Sequence, residues 1–357
     1  MPTDNFFTPL LDEDKRTNIL STISSPVWSG GATTLTAFYT SSVQSGSSGD
    51  YYYDVYDKAQ TDTTRQVQFA VSYGHIDGSG SLSTTAGNNP SKAIYRQFRN
   101  ICIKNSSSET RFNFDADGEG TTYDASAGGQ GYDIFAINVN RARYREKIDP
   151  GNWELHLAKG GNSLSLIDDS GATADSSINA SKRIFNVVEG SISTGTAVYT
   201  TPASAQTTIN SAGSFGYFFP ELGIIILNAF ALKEDDLALT VTRTSDVNDD
   251  TSKELFNAIS GSDNTGYFQA RREEQIKSSH YFCRVKSEEY NWSQNPTYYT
   301  GDDAEIRNAT FIQDPKSYIT TVGLYNNQNE LLAVAKLSQP LLKSRDREAV
   351  IKVRLDF

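Results

Sequence analysis

The closing stretch of the chain, residues 314–357, constrains the fold more than any other. Its final run alternates: Ala349, Ile351, Val353, Leu355 and Phe357 fall on one side, Lys352, Arg354 and Asp356 on the other. A period of two fits a half-buried strand. Upstream, residues 318–325 are rich in β-branched and aromatic side chains, which pack well on a pleated surface. Asn326-Asn327-Gln328-Asn329 follows, and asparagine tolerates the left-handed backbone of a tight turn. Residues 330–337 read as the return strand. Pro340 cannot donate to a ladder, so that strand is expected to end near it. Arg345-Asp346-Arg347 makes a polar turn into the last run. The pattern predicts an antiparallel meander that ends on a buried aromatic.

Composition agrees with a β-rich chain. The 26 glycines and 19 tyrosines, with abundant Ser and Thr, suit many strands and turns, and 357 residues suggest two or three domains. A hydrophobic content of 37% and a mean hydropathy of -0.48 are low for a compact enzyme. They point to extended surface, long loops or surface buried only on assembly. The net charge is -11, and no basic face stands out, which argues against a nucleic-acid partner. Cys102 and Cys283 lie too far apart for a disulfide framework and read as buried thiols. Met1-Pro2-Thr3-Asp4 has no basic and apolar leader pattern, and the longest mainly apolar run, 222–232, falls short of a membrane span. Synthesis in a cytoplasm, with no membrane partner, is expected.

Four segments are expected. Residues 1–50 read as an N-terminal arm or loop region: Phe6, Phe7, Leu10 and Leu11 are set apart by charge, as in a short helix or an arm that docks on a neighbour, and Ser45-Gly46-Ser47-Ser48-Gly49 has linker composition. Such an arm would be ordered by neighbours. Residues 51–245 read as the main β domain, with strands over 66–73, 132–139, 153–157, 164–167, 183–188, 197–199, 216–219, 224–228 and 237–244. Its one clear helix runs from a Ser91 cap to Cys102 with Ile94, Phe98 and Ile101 at helical spacing. Asp149-Pro150-Gly151-Asn152 reads as a turn, and 159–162 as a hairpin loop. The branched run 224–227 suggests burial on both faces. Residues 246–277 read as an acidic helical connector, its helix led by Thr251 or Ser252. Residues 278–357 read as a C-terminal β subdomain completing the sheet. The fold class is mainly β: antiparallel sheets in sandwich-like domains, with a few short helices and long loops.

Chemistry-bearing patterns are sparse. His75, His156 and His280 are scattered. His280 and Cys283 fall on opposite sides of a strand, so one metal ion is not expected to reach both. Asp115-Ala116-Asp117-Gly118-Glu119-Gly120 opens like a calcium loop, but Ser126 stands where a bidentate glutamate belongs. Asp77-Gly78-Ser79-Gly80-Ser81 lacks the lysine of a phosphate loop. No catalytic, cofactor or metal residue is therefore assigned, and the chain is not expected to be an enzyme. Tyr51, Tyr52, Tyr53, Tyr56, Trp292, Tyr298 and Tyr299 lie in or beside polar loops. Such aromatics stack on sugars, fill an interface or pack under their own loops, and they are the candidate interface residues.

Several stretches carry a family resemblance together. They are Tyr95-Arg96-Gln97-Phe98-Arg99-Asn100, Ile137-Asn138-Val139-Asn140-Arg141-Ala142-Arg143-Tyr144, Asp149-Pro150-Gly151-Asn152-Trp153-Glu154-Leu155, 219–228 and 314–357. In this order, over residues 90–357, they resemble virion structural proteins of large contractile-tailed bacteriophages, especially those infecting cyanobacteria. The closing hairpin, Ile319-Thr320-Thr321-Val322-Gly323-Leu324-Tyr325 and then Leu331-Leu332-Ala333-Val334-Ala335, also resembles proteins that join tail fibres to baseplates. The resemblance implies a structural component of the tail, baseplate or neck. Its partners would be other virion proteins and copies of itself, in a symmetric ring or multi-copy assembly, and its destination the virion. A carbohydrate-binding tail-fibre or adhesin protein and a capsid-associated decoration protein are the alternatives. A fibre tip would usually show repeats or a trimeric coiled segment, and neither pattern occurs in the sequence.

Overall fold

The computed structural model describes residues 7–40, 52–78, 90–103, 111–112, 114, 131–171, 184–201, 214–234, 237–241, 248–261 and 265–356. In chain order the strands are β1 (Lys15–Pro26), β2 (Thr34–Leu35), β3 (Tyr39–Thr40), β4 (Tyr52–Tyr56), β5 (Val67–His75) and β6 (Asp133–Val139). Next come β7 (Lys147–Lys159), β8 (Asn162–Asp168), β9 (Phe185–Ser193), β10 (Thr196–Thr201), β11 (Gly216–Phe219) and β12 (Ile224–Asn228). The last are β13 (Tyr267–Val285), β14 (Tyr299–Thr300), β15 (Glu305–Ile306), β16 (Lys316–Tyr325), β17 (Leu331–Ser344) and β18 (Ala349–Asp356). The helices are α1 (Pro90–Cys102), α2 (Arg141–Tyr144), α3 (Ala229–Glu234), α4 (Asn248–Ser260) and α5 (Thr310–Gln313). The fold is mainly β and antiparallel, as expected.

Two compact units emerge: Ile23–Glu274, and Met1–Thr22 with Gln275–Phe357. In the larger, strands run in the order β13-β7-β8-β9-β11-β12-β6-β5-β4-β3, with β2 on β13 and β10 on β9. The middle strands are buried on both faces. Phe135, Ile137, Phe218, Ile225 and Leu227 join one cluster with Trp153, Phe268 and, from α4, Leu255 and Ile259. Ile134, Ala136, Tyr217, Phe219, Ile224 and Ile226 join another with Tyr95, Phe98 and Cys102 of α1. Neighbours along a strand point to opposite faces, so the branched run of β12 demands apolar cover on both. Each such side chain, fully buried, contributes about 1.5–3 kcal/mol. Gly160 and Gly161, at φ 60° and 88°, link β7 to β8 through a two-residue loop. A Cβ on Gly216 would lie 1.9 Å from the Ile226 carbonyl oxygen, so β11 meets β12 only with glycine there.

Several expectations change. Residues 149–152 make no turn but a bulge inside β7. Ala270 pairs with Trp153 and Arg272 with Ile148, so these four residues face Arg271 alone. Proline tolerates that place because a bulge asks no ladder hydrogen bond of it. The stripe of α1 is Ser91, Tyr95, Phe98 and Cys102, while Ile101 is exposed and Ser91 sits inside the helix. Tyr95 sets this rotation: its hydroxyl donates to Gly131 O at 2.5 Å and accepts from Phe112 N at 3.0 Å. Residues 237–241 form no strand: Leu237 and Leu239 are buried, but Ala238 turns at φ 45° and Leu239 N donates to Leu232 O. The expected connector belongs to the core. Thr251 and Ser252 are buried within α4, and residues 267–274 continue β13. Residues 15–26, expected to belong to an arm, form β1 beside β13. Their Thr, Ile and Leu content favours extended backbone despite the intervening polar residues.

In the smaller unit the second part of β13 pairs with β18, from Ser278 opposite Asp356 to Val285 opposite Ala349. Ile351 and Val353 are buried and Ala349 and Leu355 half-buried, while Val350, Lys352, Arg354 and Asp356 are exposed. The alternation holds; Phe357 lies outside the described residues. The meander does not form, because β16 and β17 make a separate two-stranded sheet. β17 also runs through Pro340. Ile319 pairs with Leu341 and Thr321 with Lys336, so residues 337–340 bulge opposite Thr320 alone. Both mid-strand prolines thus sit in bulges with the same count, four residues against one.

Candidate functional site

Two of the polar networks on the sheet of the larger unit bring titratable groups of different strands together. Tyr267 lies opposite His156 on β7, and His156 opposite Ser165 on β8. The His156 and Tyr267 rings stack at 4.8 Å, and His156 Nδ1 lies 2.7 Å from Ser165 Oγ. Glu154 accepts from Tyr267 Oη at 2.5 Å and from Ile192 N at 2.8 Å. A serine beside an imidazole resembles a nucleophile and its base, but the carboxylate bonds tyrosine and backbone and not the imidazole. Burial holds His156 below its ordinary value and pushes Tyr267 up to about 12. Residues more than a hundred positions apart build this row, and no spacing in the sequence signals it.

The second network is Asp168 and Asp169 at the end of β8. Asp168 accepts from the backbone of Gly151 and Ser170, and Asp169 from Asn186. Burial, foremost, pushes both carboxyls up, Asp169 to about 6. Backbone amides, the Ser170 side chain and an asparagine are among the partners, so the pair fastens the β7 bulge and β9 to the sheet.

The predicted aromatics divide. Tyr51 lies outside the described residues. Tyr52 is exposed on β4, but Tyr53 faces the core and stacks 6.5 Å from Phe256, so it offers no interface. Tyr56 is half-buried beneath Arg65, whose guanidinium lies 4.4 Å over its ring. In the smaller unit Trp292 stacks on Tyr299 at 5.4 Å and meets Tyr298 edge-on at 5.9 Å. These three pack together in one loop and leave Trp292 43% exposed. The calcium-like stretch 115–120, with Ser126, lies outside the described residues, as do residues 79–81. His75 Nδ1 accepts from Asp77 N at 3.1 Å. Cys102 is buried, Cys283 only half-buried, and both are free thiols. Among the described residues no group of three or more His, Cys, Asp or Glu could hold a metal ion, and no helix is long and apolar enough to cross a membrane.

The smaller unit carries surfaces that sequence reasoning did not single out. A cleft of about 830 Å³ is lined by Phe7, Tyr281, Cys283, Leu324, Tyr325 and Leu332, among others. Phe7 packs 4.8 Å from Tyr325, and Arg284 Nε holds Asp14 at 2.7 Å. The β16–β17 hairpin exposes Tyr325 and Leu332 at the cleft and Leu331 and Val334 besides, Leu332 to 67%. Among the described residues neither strand has a partner beyond the other. A lone two-stranded sheet is marginal in water, and an apolar open edge is a template for pairing. Its base is held firmly. The buried Lys343 Nζ donates at 2.9 Å to Ser287 O, Asn291 Oδ1 and Ser344 O, and burial keeps its ammonium below the ordinary value. The adjacent Leu331-Leu332 pair was the available signal, since two leucines in a row leave one facing out of a two-stranded sheet.

Compared with protein-family models, curated proteins and solved structures, the chain matches none.

Proposed function

We propose that this chain is a structural component of a tailed-phage virion, in the tail, baseplate or neck, acting through protein–protein assembly contacts. The observation that supports it most is the hairpin β16–β17. It carries Leu331, Leu332, Val334 and Tyr325 into solvent on strands with open edges, an arrangement suited to burial against a neighbour. The bacteriophage resemblance of residues 314–357 supplies the setting, and this hairpin lies within it. The test replaces Leu332 and Val334 together by aspartate. The variant is expected to keep its melting temperature yet fail to enter particles when supplied in trans to a deletion strain. Incorporation at the wild-type level would remove the hairpin from the reading, and absence of the chain from purified particles would remove the virion.

A second reading, an adhesin that binds carbohydrate, draws on the stacked Trp292–Tyr299 pair with its exposed indole. Loss of glycan binding by Trp292→Ala, with particle incorporation intact, would favour it.

A further inference from the structure

We propose that copies of this chain join head to tail, the acidic tip of the β14–β15 hairpin of one copy seating on the basic face of β13 and β18 of the next. This rests on the assembly reading and names its partner, a second copy.

The basic face is built by register. Arg354 lies opposite His280, and Lys352 opposite Phe282, with Lys352 Nζ 5.9 Å from the Phe282 ring. Arg16 adds its charge at His280. Asp356 answers part of this, accepting from Arg354 Nε at 2.7 Å and from Ser278 Oγ at 2.6 Å. His280 is 5% exposed, and neither of its ring nitrogens has a hydrogen-bond partner among the described residues. Burial first, then Lys352 and Arg354, hold it below its ordinary value. The buried imidazole stays out of reach of a partner, but the exposed ammonium of Lys352 and guanidinium of Arg354 can each pair with an incoming carboxylate.

The acidic tip is complementary. Tyr299 pairs with Ile306 and Thr300 with Glu305, so Asp302 and Asp303 crown a short hairpin, turned by Gly301 and Ala304 at φ 71° and 54°. Asp302, Asp303 and Glu305 are exposed and have no ion-pair partner among the described residues. Trp292, stacked on Tyr299 at the hairpin base, offers a ring face to an incoming Arg or Lys.

Charge distribution favours a second copy. The whole chain carries -11, yet residues 316–357 carry seven Lys and Arg against four Asp and Glu. Two copies repel unless unlike regions meet, and this tip and this face are unlike. A contact between different patches is heterologous, the kind that closes rings. Val350, 63% exposed beside Lys352 on the same face, adds apolar area.

The test is a charge exchange on the full chain. One variant carries Lys352→Glu with Arg354→Glu, the other Asp302→Lys with Asp303→Lys; all four positions are exposed. Sedimentation velocity is run at low salt and at about 1 M, where charges are screened beyond roughly 3 Å. Wild-type protein is expected to associate at low salt and dissociate at high salt. Each variant alone should be monomeric, and the two mixed should associate again, because every contact between unlike variants is then complementary. Wild-type association by either variant alone, or a mixture that stays monomeric, overturns the proposal. A monomeric wild type overturns it too, but leaves contacts with other virion proteins to the hairpin variants.

Discussion

Gly151 donates its backbone N–H to both carboxylate oxygens of Asp168, at 3.0 and 2.8 Å. The contact ties the bulge of β7 to the last residue of β8, and Ser170 N adds a third bond at 3.0 Å. The bulge is thereby a built feature of the sheet, held by a carboxyl group whose pKa burial raises.

Asp168→Ala leaves those amides without their acceptor. An unsatisfied buried amide costs about 1–3 kcal/mol, so a loss of about 2–4 kcal/mol in urea unfolding is expected. Asp168→Asn keeps one acceptor oxygen and should lose less. An unchanged midpoint for the alanine variant would show that the bulge is held by something else.

Asp169 sets a pH dependence. Its carboxyl is pushed from 3.8 to about 6, chiefly by burial and further by Asp168. The folded state therefore holds this proton more tightly than the unfolded state. The associated stability is present below about pH 4 and is lost as pH rises through about 6, at roughly 1.4 kcal/mol for each pH unit crossed between the two values. Melting temperatures of wild type and Asp169→Asn, compared from pH 4 to 7, should converge or cross in that window, with wild type losing ground as pH rises. Asn186 can turn its amide to suit the substitution. Parallel curves would mean that Asp169 titrates as an ordinary carboxylate.

Fluorescence separates the tryptophans. Trp28 and Trp153 are 2% and 0% exposed, whereas Trp292 is 43% exposed. Acrylamide should quench one component readily, and Trp292→Phe should abolish that component. Persistence of the quenched fraction in the variant would place the accessible indole elsewhere.

The last strand is structural. Val353, 5% exposed opposite Tyr281, loses about 2 kcal/mol as alanine. Replacing the neighbouring exposed Arg354 by alanine should change stability by no more than about 0.5 kcal/mol. Equal effects of the two substitutions would refute the assigned faces of β18.

Local pattern determined the strands and their faces. Residues 349–356 alternate as read, the 224–227 run is buried on both sides, and Gly160-Gly161 turns a hairpin. These follow from backbone geometry that is the same whatever the partner. Pairing was decided only in three dimensions. The 271–274 charges looked like a connector until β7 set Lys147 opposite Glu273, 2.9 Å apart. Pro150 and Pro340 looked like strand ends until each partner strand passed one residue against four. Tyr52 and Tyr53 are alike in sequence, yet the register of β4 on β5 buries one and exposes the other. The basic face needs His280 beside Arg354, residues 74 positions apart that only the β13–β18 register brings together. Periodicity is a property of neighbours along the chain. Partner, register and bulge depend on which distant segments bury surface together, and no short stretch of sequence contains that information.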